Sequence, residues 1–302
     1  MVNGFIVVDK PAGITSHDVV NRIRRIAGTK RVGHTGTLDP FATGVLPIAI
    51  NEGTKAIPFL DEGEKGYQAL VRFGVRTDTL DMTGTVLEEL DYSGLDRAAL
   101  LSAISGFVGE ISQIPPMFSA IKQNGQPLYK LARKGVEVER KARQVTINSL
   151  ELAGFDPPLA ELVVSCSRGT YIRTLADDLG KKLGCGASLT ALRRTHSGPF
   201  SIDDALSLEE IAALAEAGRL EDAVVSPLRA LCHIPVIRLL PEGVERVQRG
   251  MAPRIEHLDG QHSEMAAGLC CLSRDKRLVA VAEFGGDWQA REIIVLKRVF
   301  NG

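Results

Sequence analysis

The chain has 302 residues, 36 basic against 37 acidic side chains, a formal net charge of −1 and 44% hydrophobic residues. This composition excludes disordered and fibrous proteins, and the length suffices for one large core with a small appended domain. A near-neutral net charge does not indicate a nucleic-acid partner, so the distribution of basic residues along the chain must decide that question.

The first predicted element is a short buried strand at residues 5–8, which ends at a turn over residues 9–11. This apolar run is shorter than a signal-peptide core, and no other run approaches a membrane span, so we expect a cytoplasmic protein. Ser16 is then predicted to cap an amphipathic helix that Gly28 ends. Residues 19–38 hold five basic residues and no acid. A solvated face is the ordinary interpretation, and phosphate binding is the alternative.

The next segment, residues 33–46, reads G-H-T-G-T-L-D-P-F-A-T-G-V-L and holds Asp39 before an apolar run. Three glycines there allow backbone conformations that other residues avoid: Gly33, Gly36 and Gly44. Pro40 fixes the dihedral after Asp39, so the loop can present one carboxylate as a nucleophile or base. An ordinary turn, in which Asp39 accepts hydrogen bonds from backbone amides, is the alternative that spacing alone favours.

A predicted strand at residues 45–50 and a short helix at residues 53–60 follow. Residues 67–73 then alternate between apolar and polar side chains, which predicts a strand with Tyr67 at its start on the apolar face. A tyrosine of the core is the ordinary interpretation of that position. Residues 77–85 are a loop rich in Thr, Asp and Gly, and a helix comes next. Because strands and helices alternate, the pattern predicts an α/β or α+β fold.

Residues 114–143 are the least core-like stretch of the first 230 residues. They contain two adjacent prolines, an Asn124-Gly125 turn and a short helix that Pro127 begins. Residues 118–145 hold seven basic residues against two acids. The pattern indicates a protruding basic excursion, for which phosphate binding and a solvated loop are both open.

Two strands are predicted at residues 145–152 and 159–166, and a helix follows between Gly169 and Gly184. Arg173 lies in the first turn of that helix, where the helix dipole disfavours a cation, so it requires a nearby anion. A solvent-facing arginine is the alternative.

The last elements are a strand at residues 188–194 and a helix with a capping box at residues 207–210. From residue 241 a short helix and three strand-like segments indicate a compact β-rich tail. We therefore expect two domains, residues 1–235 and residues 236–302.

Four segments resemble motifs of the TruB-type tRNA pseudouridine synthases, in the order of that family. They are Asp9-Lys10-Pro11 with residues 13–16, the string R-V-G-H-T-G-T-L-D-P-F-A-T-G-V-L-P around Asp39, residues 66–81, and C-S-R-G-T-Y-I-R-T at residues 166–174. The resemblance implies an α/β (α+β) catalytic core with a mixed, largely antiparallel sheet flanked by helices. It also implies a thumb insertion at residues 114–143 and a PUA-like RNA-binding domain in the tail.

The resemblance further implies an activity, namely isomerisation of the uridine at position 55 in the T loop of tRNA to pseudouridine. Asp39 would be the catalytic carboxylate after base flipping, Arg173 its counter-charge, and Tyr67 the side chain that stacks on the target base. Attack at the sugar carbon, attack at the base ring and elimination all remain open for Asp39. Substrate-binding roles are implied for Lys10, Pro11, His34, Tyr171, Leu192, Lys122, Lys130 and Arg133.

The expected partner is the T arm of tRNA, bound by a monomeric chain without a membrane. No cofactor is expected, because the isomerisation is redox-neutral and the sequence has no metal-ligand cluster. The five cysteines lack CxxC spacing, which favours free thiols over disulfides or zinc ligands.

Two other classes of protein fit part of the pattern. An RNA-binding protein without turnover would keep the basic segments but has no need for Asp39, Tyr67 and Arg173 together. A phosphate-cofactor enzyme is suggested by G-H-T-G-T, which however lacks both the ending of a P-loop and the Rossmann glycine spacing.

Overall fold

The computed structural model describes residues 2–61, 63–123, 125–260, 266–287 and 294–301. The chain divides into two compact units. Unit 1 consists of Met1–Asp39, Val45–Asp61 and Gly198–Gly302, and unit 2 consists of Pro40–Gly44 and Glu62–Ser197. The predicted domain boundary between residues 235 and 236 lies within unit 1 and stays a prediction.

The strands are β1 (Gly4–Lys10), β2 (Val32–His34), β3 (Thr43–Ile50), β4 (Glu64–Phe73), β5 (Val75–Thr77), β6 (Val86–Glu89), β7 (Gly109–Gln113), β8 (Lys122–Gln123), β9 (Gln126–Pro127), β10 (Arg143–Asp156), β11 (Leu159–Ser167), β12 (Ala187–Ser197), β13 (Phe200–Ser201), β14 (Val224–Val225), β15 (Val236–Arg238), β16 (Gly268–Arg274), β17 (Arg277–Phe284) and β18 (Ile294–Val299). The α-helices are α1 (Ser16–Ile26), α2 (Gly53–Ala56), α3 (Arg97–Ser105), α4 (Leu128–Ala132), α5 (Ile172–Leu183), α6 (Leu208–Glu216), α7 (Pro227–Ala230) and α8 (Pro241–Gln248). Single 3₁₀ turns occupy Ile57–Phe59, Ile202–Asp204, Leu220–Ala223 and Ile255–His257.

Unit 2 is built on an antiparallel sheet with the strand order β12, β4, β11, β10, β7. Along β4 the odd-numbered side chains from Tyr67 to Phe73 are buried, as the alternating sequence predicts. Thr43 and Gly44, the first residues of β3, add a parallel pairing with β12. Because α5 packs against both β12 and α3, one face of this sheet is covered by helices. The predicted mixed, largely antiparallel sheet flanked by helices is confirmed.

Unit 1 contains the neighbouring strands β14, β1 and β3, and β2 pairs with β3. The prediction that Ser16 caps α1 is wrong, because Thr15 occupies that position. The Thr15 hydroxyl accepts a hydrogen bond from the Asp18 N–H at 3.1 Å, and the Asp18 carboxylate accepts one from the Thr15 N–H at 2.9 Å. The capping box predicted for α6, between Ser207 and Glu210, is confirmed.

The tail of unit 1 is a four-stranded sheet in the order β15, β16, β17, β18, accompanied by α8. Its β-rich character is confirmed, whereas its assignment as a PUA-like domain stays a proposal. One hydrophobic cluster inside unit 1 joins Phe5 of β1 and Val45 of β3 to Leu278 and Val281 of β17 and to Phe300. Burial of these side chains stabilises the tail against the strands of the same unit.

Three further expectations concern membranes, thiols and metals. None of the described helices is long and apolar enough to cross a membrane. All five cysteines are free, as predicted, with Cys232 exposed and the other four buried. Within the described ranges, no group of three His, Cys, Asp or Glu side chains is arranged to hold a metal ion.

Candidate active site

The loop that carries Asp39 is attached to α1 through Ser16. The Ser16 hydroxyl, 2% exposed, donates to the Leu38 carbonyl at 3.0 Å and accepts from the Leu38 N–H at 2.9 Å. Both polar backbone groups of Leu38 are therefore paired with a helix residue, which a buried loop requires. Asp39 follows directly and is half-buried. This anchor explains why Ser16 points inward and leaves the capping role to Thr15.

Two of the three glycines in this loop have the predicted conformational role. Gly36 and Gly44 have φ angles of +77° and +98°, in the left-handed region. A Cβ on Gly44 would also lie 2.2 Å from the Arg194 carbonyl oxygen of β12, so only glycine fits there. The expectation for Gly33 is wrong, because Gly33 lies in β2 as an ordinary strand residue paired with Ala49.

Three residues with implied substrate contacts lie in unit 1 with Asp39. Lys10 is fully buried at the end of β1 and donates from Nζ to the Pro11 carbonyl at 2.8 Å, whereas Pro11 itself is exposed. His34 ends β2, is half-buried and pairs with Ile48 of β3. Their roles toward a substrate stay predictions.

Arg173 lies buried in the first turn of α5, with its side chain 4% exposed. Its Nη1 is 3.5 Å from the Asp81 carboxylate and donates to the Thr79 carbonyl at 3.0 Å, and its Nη2 donates to the Phe118 carbonyl at 2.7 Å. The alternative of a solvent-facing arginine is wrong. Asp81, itself 5% exposed, supplies an anion that a cation at a helix amino terminus requires.

Asp81 is one of the residues whose role the sequence did not predict. Its Oδ1 accepts hydrogen bonds from the Thr79 hydroxyl at 3.0 Å, the Thr83 N–H at 3.0 Å and the Thr83 hydroxyl at 2.5 Å. Its backbone carbonyl accepts another from the Thr77 hydroxyl at 2.7 Å. The run of Thr, Asp and Gly indicated only a loop, although a run of hydroxyls around one acid is the signal that could have identified this carboxylate.

Tyr67 and Leu192 lie on one face of the unit 2 sheet, each 8% exposed. Tyr67 pairs across the strands with Arg194 of β12, and Leu192 pairs with Ala69 of β4. Directly paired residues share a face, so the buried Arg194 belongs to the same surface. No motif in the sequence singles out Arg194, whereas the structure puts it beside Tyr67.

A second buried cation, Lys65, precedes Tyr67 on the same face of β4 and donates from Nζ to the Ser197 hydroxyl at 2.8 Å. Cys166 pairs with Lys65 from β11. Burial raises the pKa of the Cys166 thiol to about 11, so the sulfur is protonated at neutral pH. Cys166 is therefore a packing residue and not a nucleophile.

Tyr171 is the residue immediately before α5. Its backbone N–H donates to Gln113 Oε1 at 2.7 Å, and its carbonyl accepts from Gln113 Nε2 at 3.1 Å. Gln113 is 2% exposed and ends β7. Tyr171 and Arg173 thus both lie at the start of α5. Gln113 is a partner of Tyr171 that the sequence did not predict.

Residues 114–143, the predicted insertion, contain the short strands β8 and β9 and the helix α4, which begins after Pro127 as predicted. Asn124 of the predicted turn lies outside the described residues. The side chains of Lys122, Lys130, Arg133, Lys134, Lys141 and Arg143 are exposed. Arg140 differs, since it donates to the Pro115 carbonyl at 3.1 Å and to the Glu137 carboxylate at 3.2 Å.

One aromatic residue accompanies these cations. The guanidinium carbon of Arg133 lies 5.6 Å from the centre of the Tyr129 ring, which is a cation–π geometry. A half-buried aromatic ring among exposed cations combines stacking with charge, the two contacts that single-stranded and looped nucleic acids offer.

Comparison with known proteins gives concordant findings for sequence and fold. The family model described as TruB family pseudouridylate synthase, N-terminal domain, matches residues 24–172, and that of the tRNA pseudouridylate synthase B C-terminal domain matches residues 173–233. The chain is similar to the tRNA pseudouridine synthase B of Geobacter sulfurreducens, with 52% identity over 99% of this chain and 100% of the relative. The protein of that name from Chromobacterium violaceum is 42% identical over 98% of this chain and 95% of its own.

The fold has a counterpart among solved structures. A chain in the structure of an H/ACA RNP bound to a substrate RNA containing 2′-deoxyuridine aligns with a TM-score of 0.75 and 25% identity. The alignment covers 99% of the present chain and 85% of that chain.

Proposed function

Because the chain belongs to the TruB family of pseudouridylate synthases, we propose that it converts the uridine at position 55 in the T loop of tRNA to pseudouridine, with Asp39 as catalytic carboxylate. The observation that carries the proposal is the full-length similarity to relatives named tRNA pseudouridine synthase B. The matched residues 24–233 include Asp39, Tyr67, Arg173 and Leu192.

The reaction is an isomerisation in which every atom of the nucleoside is conserved. The glycosidic bond between N1 and C1′ breaks, the uracil turns, C5 forms the new bond to C1′, and the proton of C5 is exchanged for one on N1. Asp39 acts as an anion, either as a nucleophile toward the sugar carbon or the base ring or as the base of an elimination. Each route requires the uridine to leave the base stack, at a cost of a few kcal/mol.

The other residues bind the flipped base and hold the charge. Tyr67 stacks on the uracil and Leu192 forms an apolar wall beside it, roles that their shared sheet face supports. Arg173 is the counter-charge of Asp39 in this proposal, and its burial is what supports such a role. An arginine keeps its charge in a pocket too dry for an unpaired carboxylate, so it stabilises the reactive anion.

The T arm of tRNA is the proposed partner. Residues 118–145 hold seven basic residues and two acids, Glu137 and Glu139, and most of these basic side chains are exposed, which supports phosphate contacts along an RNA backbone. His34, Lys10, Pro11 and Tyr171 complete the contacts near the flipped base. The PUA-like tail, the monomeric state and the cytoplasmic location are parts of the same proposal.

The test is tritium release from a tRNA transcript that carries uridine tritiated at C5. Purified protein, dialysed against a chelator and given no cofactor, is expected to release one tritium per transcript at position 55. A minimal T-arm hairpin serves as substrate where the folding of whole tRNA requires magnesium, and the same hairpin with cytidine at position 55 is the control. Tight binding without release would instead support an RNA-binding protein that lacks turnover. Release restored only by zinc would contradict the cofactor-free mechanism.

A further inference from the structure

Gln113 forms an unusual pair of contacts at the start of α5. Its side-chain amide accepts from the Tyr171 N–H at 2.7 Å and donates to the Tyr171 carbonyl at 3.1 Å, so one planar group holds both polar groups of one residue. The glutamine is 2% exposed. Two parallel hydrogen bonds from a planar amide fix orientation as well as distance, because they are lost together when either group rotates.

The first turn of α5 begins at Tyr171, whose carbonyl also accepts the Leu175 N–H at 3.0 Å. The side chain of Tyr171, the N-cap residue, makes no capping hydrogen bond. Arg173, two residues on, places a positive charge at the positive end of the helix dipole, which works against the first turn. The amide of Gln113 therefore secures the backbone from which the Arg173 side chain extends toward Asp81.

Gln113 also marks the root of the insertion. It is the last residue of β7 and pairs with Arg143, the first residue of β10, so the two residues close the base from which residues 114–142 extend. Within the insertion, the Phe118 carbonyl accepts from Arg173 Nη2 at 2.7 Å. The adjacent Ser119 carbonyl accepts from the Tyr129 N–H at 3.0 Å, which connects this backbone to α4.

The basic insertion and Arg173 are thus connected at two points. Gln113 holds the helix start behind Arg173, and the Phe118 carbonyl holds the guanidinium itself. We propose that Gln113 is a positioning residue for Arg173. Through Gln113, the insertion holds Arg173 in its reactive orientation when RNA is bound. This inference rests on the proposed function, since it assigns Gln113 to that reaction.

The test uses Gln113→Met, which keeps length and apolar volume but has neither the donor nor the acceptor. Single-turnover pseudouridine formation at saturating enzyme and the dissociation constant of the T-arm hairpin are measured for the wild type and the variant. We expect a rate at least tenfold lower and a dissociation constant within threefold of wild type. Gln144→Leu, an exposed glutamine on the neighbouring strand β10, is the matched control and is expected to match the wild type.

A merely structural role is distinguished by a double-mutant cycle with Arg173→Met. If Gln113 acts through Arg173, Gln113→Met lowers the residual rate of the Arg173→Met protein by less than twofold. An equal fold loss in both backgrounds, or an unchanged rate in the wild-type background, overturns the inference. Should Gln113→Met fail to fold, Gln113→Glu, which keeps the acceptor for the Tyr171 N–H, enters the same cycle with the same deciding outcomes.

The wild-type protein separates this inference from its premise. A wild-type chain that forms no pseudouridine overturns the proposed function and the role of Gln113 with it. If the wild type is active and Gln113→Met does not change its rate, the proposed function stands and only the positioning role of Gln113 is overturned.

Discussion

Replacing Arg173 with methionine should destabilise the protein by an amount that follows from its surroundings. The Arg173 and Asp81 side chains are 4% and 5% exposed, so removal of the cation leaves a buried carboxylate without its counter-charge. Breaking a buried pair in this way typically costs about 3–5 kcal/mol. Asp81 keeps the donors of Thr79 and Thr83, which favours the lower end of that range, about 3 kcal/mol.

The assay is urea unfolding followed by circular dichroism, with Arg219→Met as the matched control. Arg219 and Asp222 approach more closely, at 2.7 Å against 3.5 Å, but their side chains are 68% and 47% exposed. An exposed pair contributes about 0–1 kcal/mol, so the control should change little. The two variants therefore test whether the loss of stability depends on the burial of the ion pair and not on the distance between its charged atoms.

A double-mutant cycle completes this prediction. Because Asp81→Asn also removes the buried charge, the double variant Arg173→Met with Asp81→Asn should lose less stability than the two single losses added together. Additive losses, or an Arg173→Met protein within about 1 kcal/mol of wild type, would refute the argument from burial.

Three further predictions test other parts of the structure. Ser16→Ala leaves the Leu38 N–H and carbonyl without their partner, so pseudouridine formation should slow at unchanged tRNA affinity. The free energy of unfolding should fall by about 1–3 kcal/mol. Thr15→Ala, the control, should reduce stability but leave the rate of pseudouridine formation unchanged. Neutralising Lys130, Arg133 and Lys134 together should weaken tRNA binding and reduce the slope of log affinity against log salt by about 2–3, and an unchanged slope would make the insertion a solvated loop. Burial raises the pKa of Cys270 to about 11 and that of Cys271 to about 12, so both thiols stay protonated below those values. Iodoacetamide at pH 8 should therefore modify the exposed Cys232 alone. Modification of Cys271 in the native protein at the rate of Cys232 would contradict this prediction.

Local patterns predicted much of the fold because their causes are local. The alternation from Tyr67 to Phe73 specifies a half-buried strand, and the Ser207 to Glu210 spacing specifies a capped helix, whatever lies elsewhere in the chain. The carboxylate loop was also recognisable, since Gly36 and Gly44 have the positive φ angles that their sequence context suggests. Such features need no information about distant residues.

The hydroxyl donors around Asp81 are local, whereas the other missed features depend on contacts between distant segments. Thr15 and Ser16 are equally suited to cap α1, and only the buried contact to Leu38, 22 residues away, decides between them. Asp81 and Arg173 are 92 positions apart, and Gln113 and Tyr171 are 58 apart, so no periodicity relates them. The pairing of Arg173 with Asp39 stays a prediction.

The central claim, that Asp39 performs the chemistry, is tested most directly by Asp39→Asn. The amide keeps the size of the side chain and its capacity to accept backbone hydrogen bonds, but it has neither the negative charge nor the nucleophilic oxygen. Single-turnover pseudouridine formation at position 55 should be abolished, while the unfolding midpoint and the dissociation constant for the T-arm hairpin stay near wild type. A folded Asp39→Asn protein that makes pseudouridine at a near wild-type rate would contradict the account.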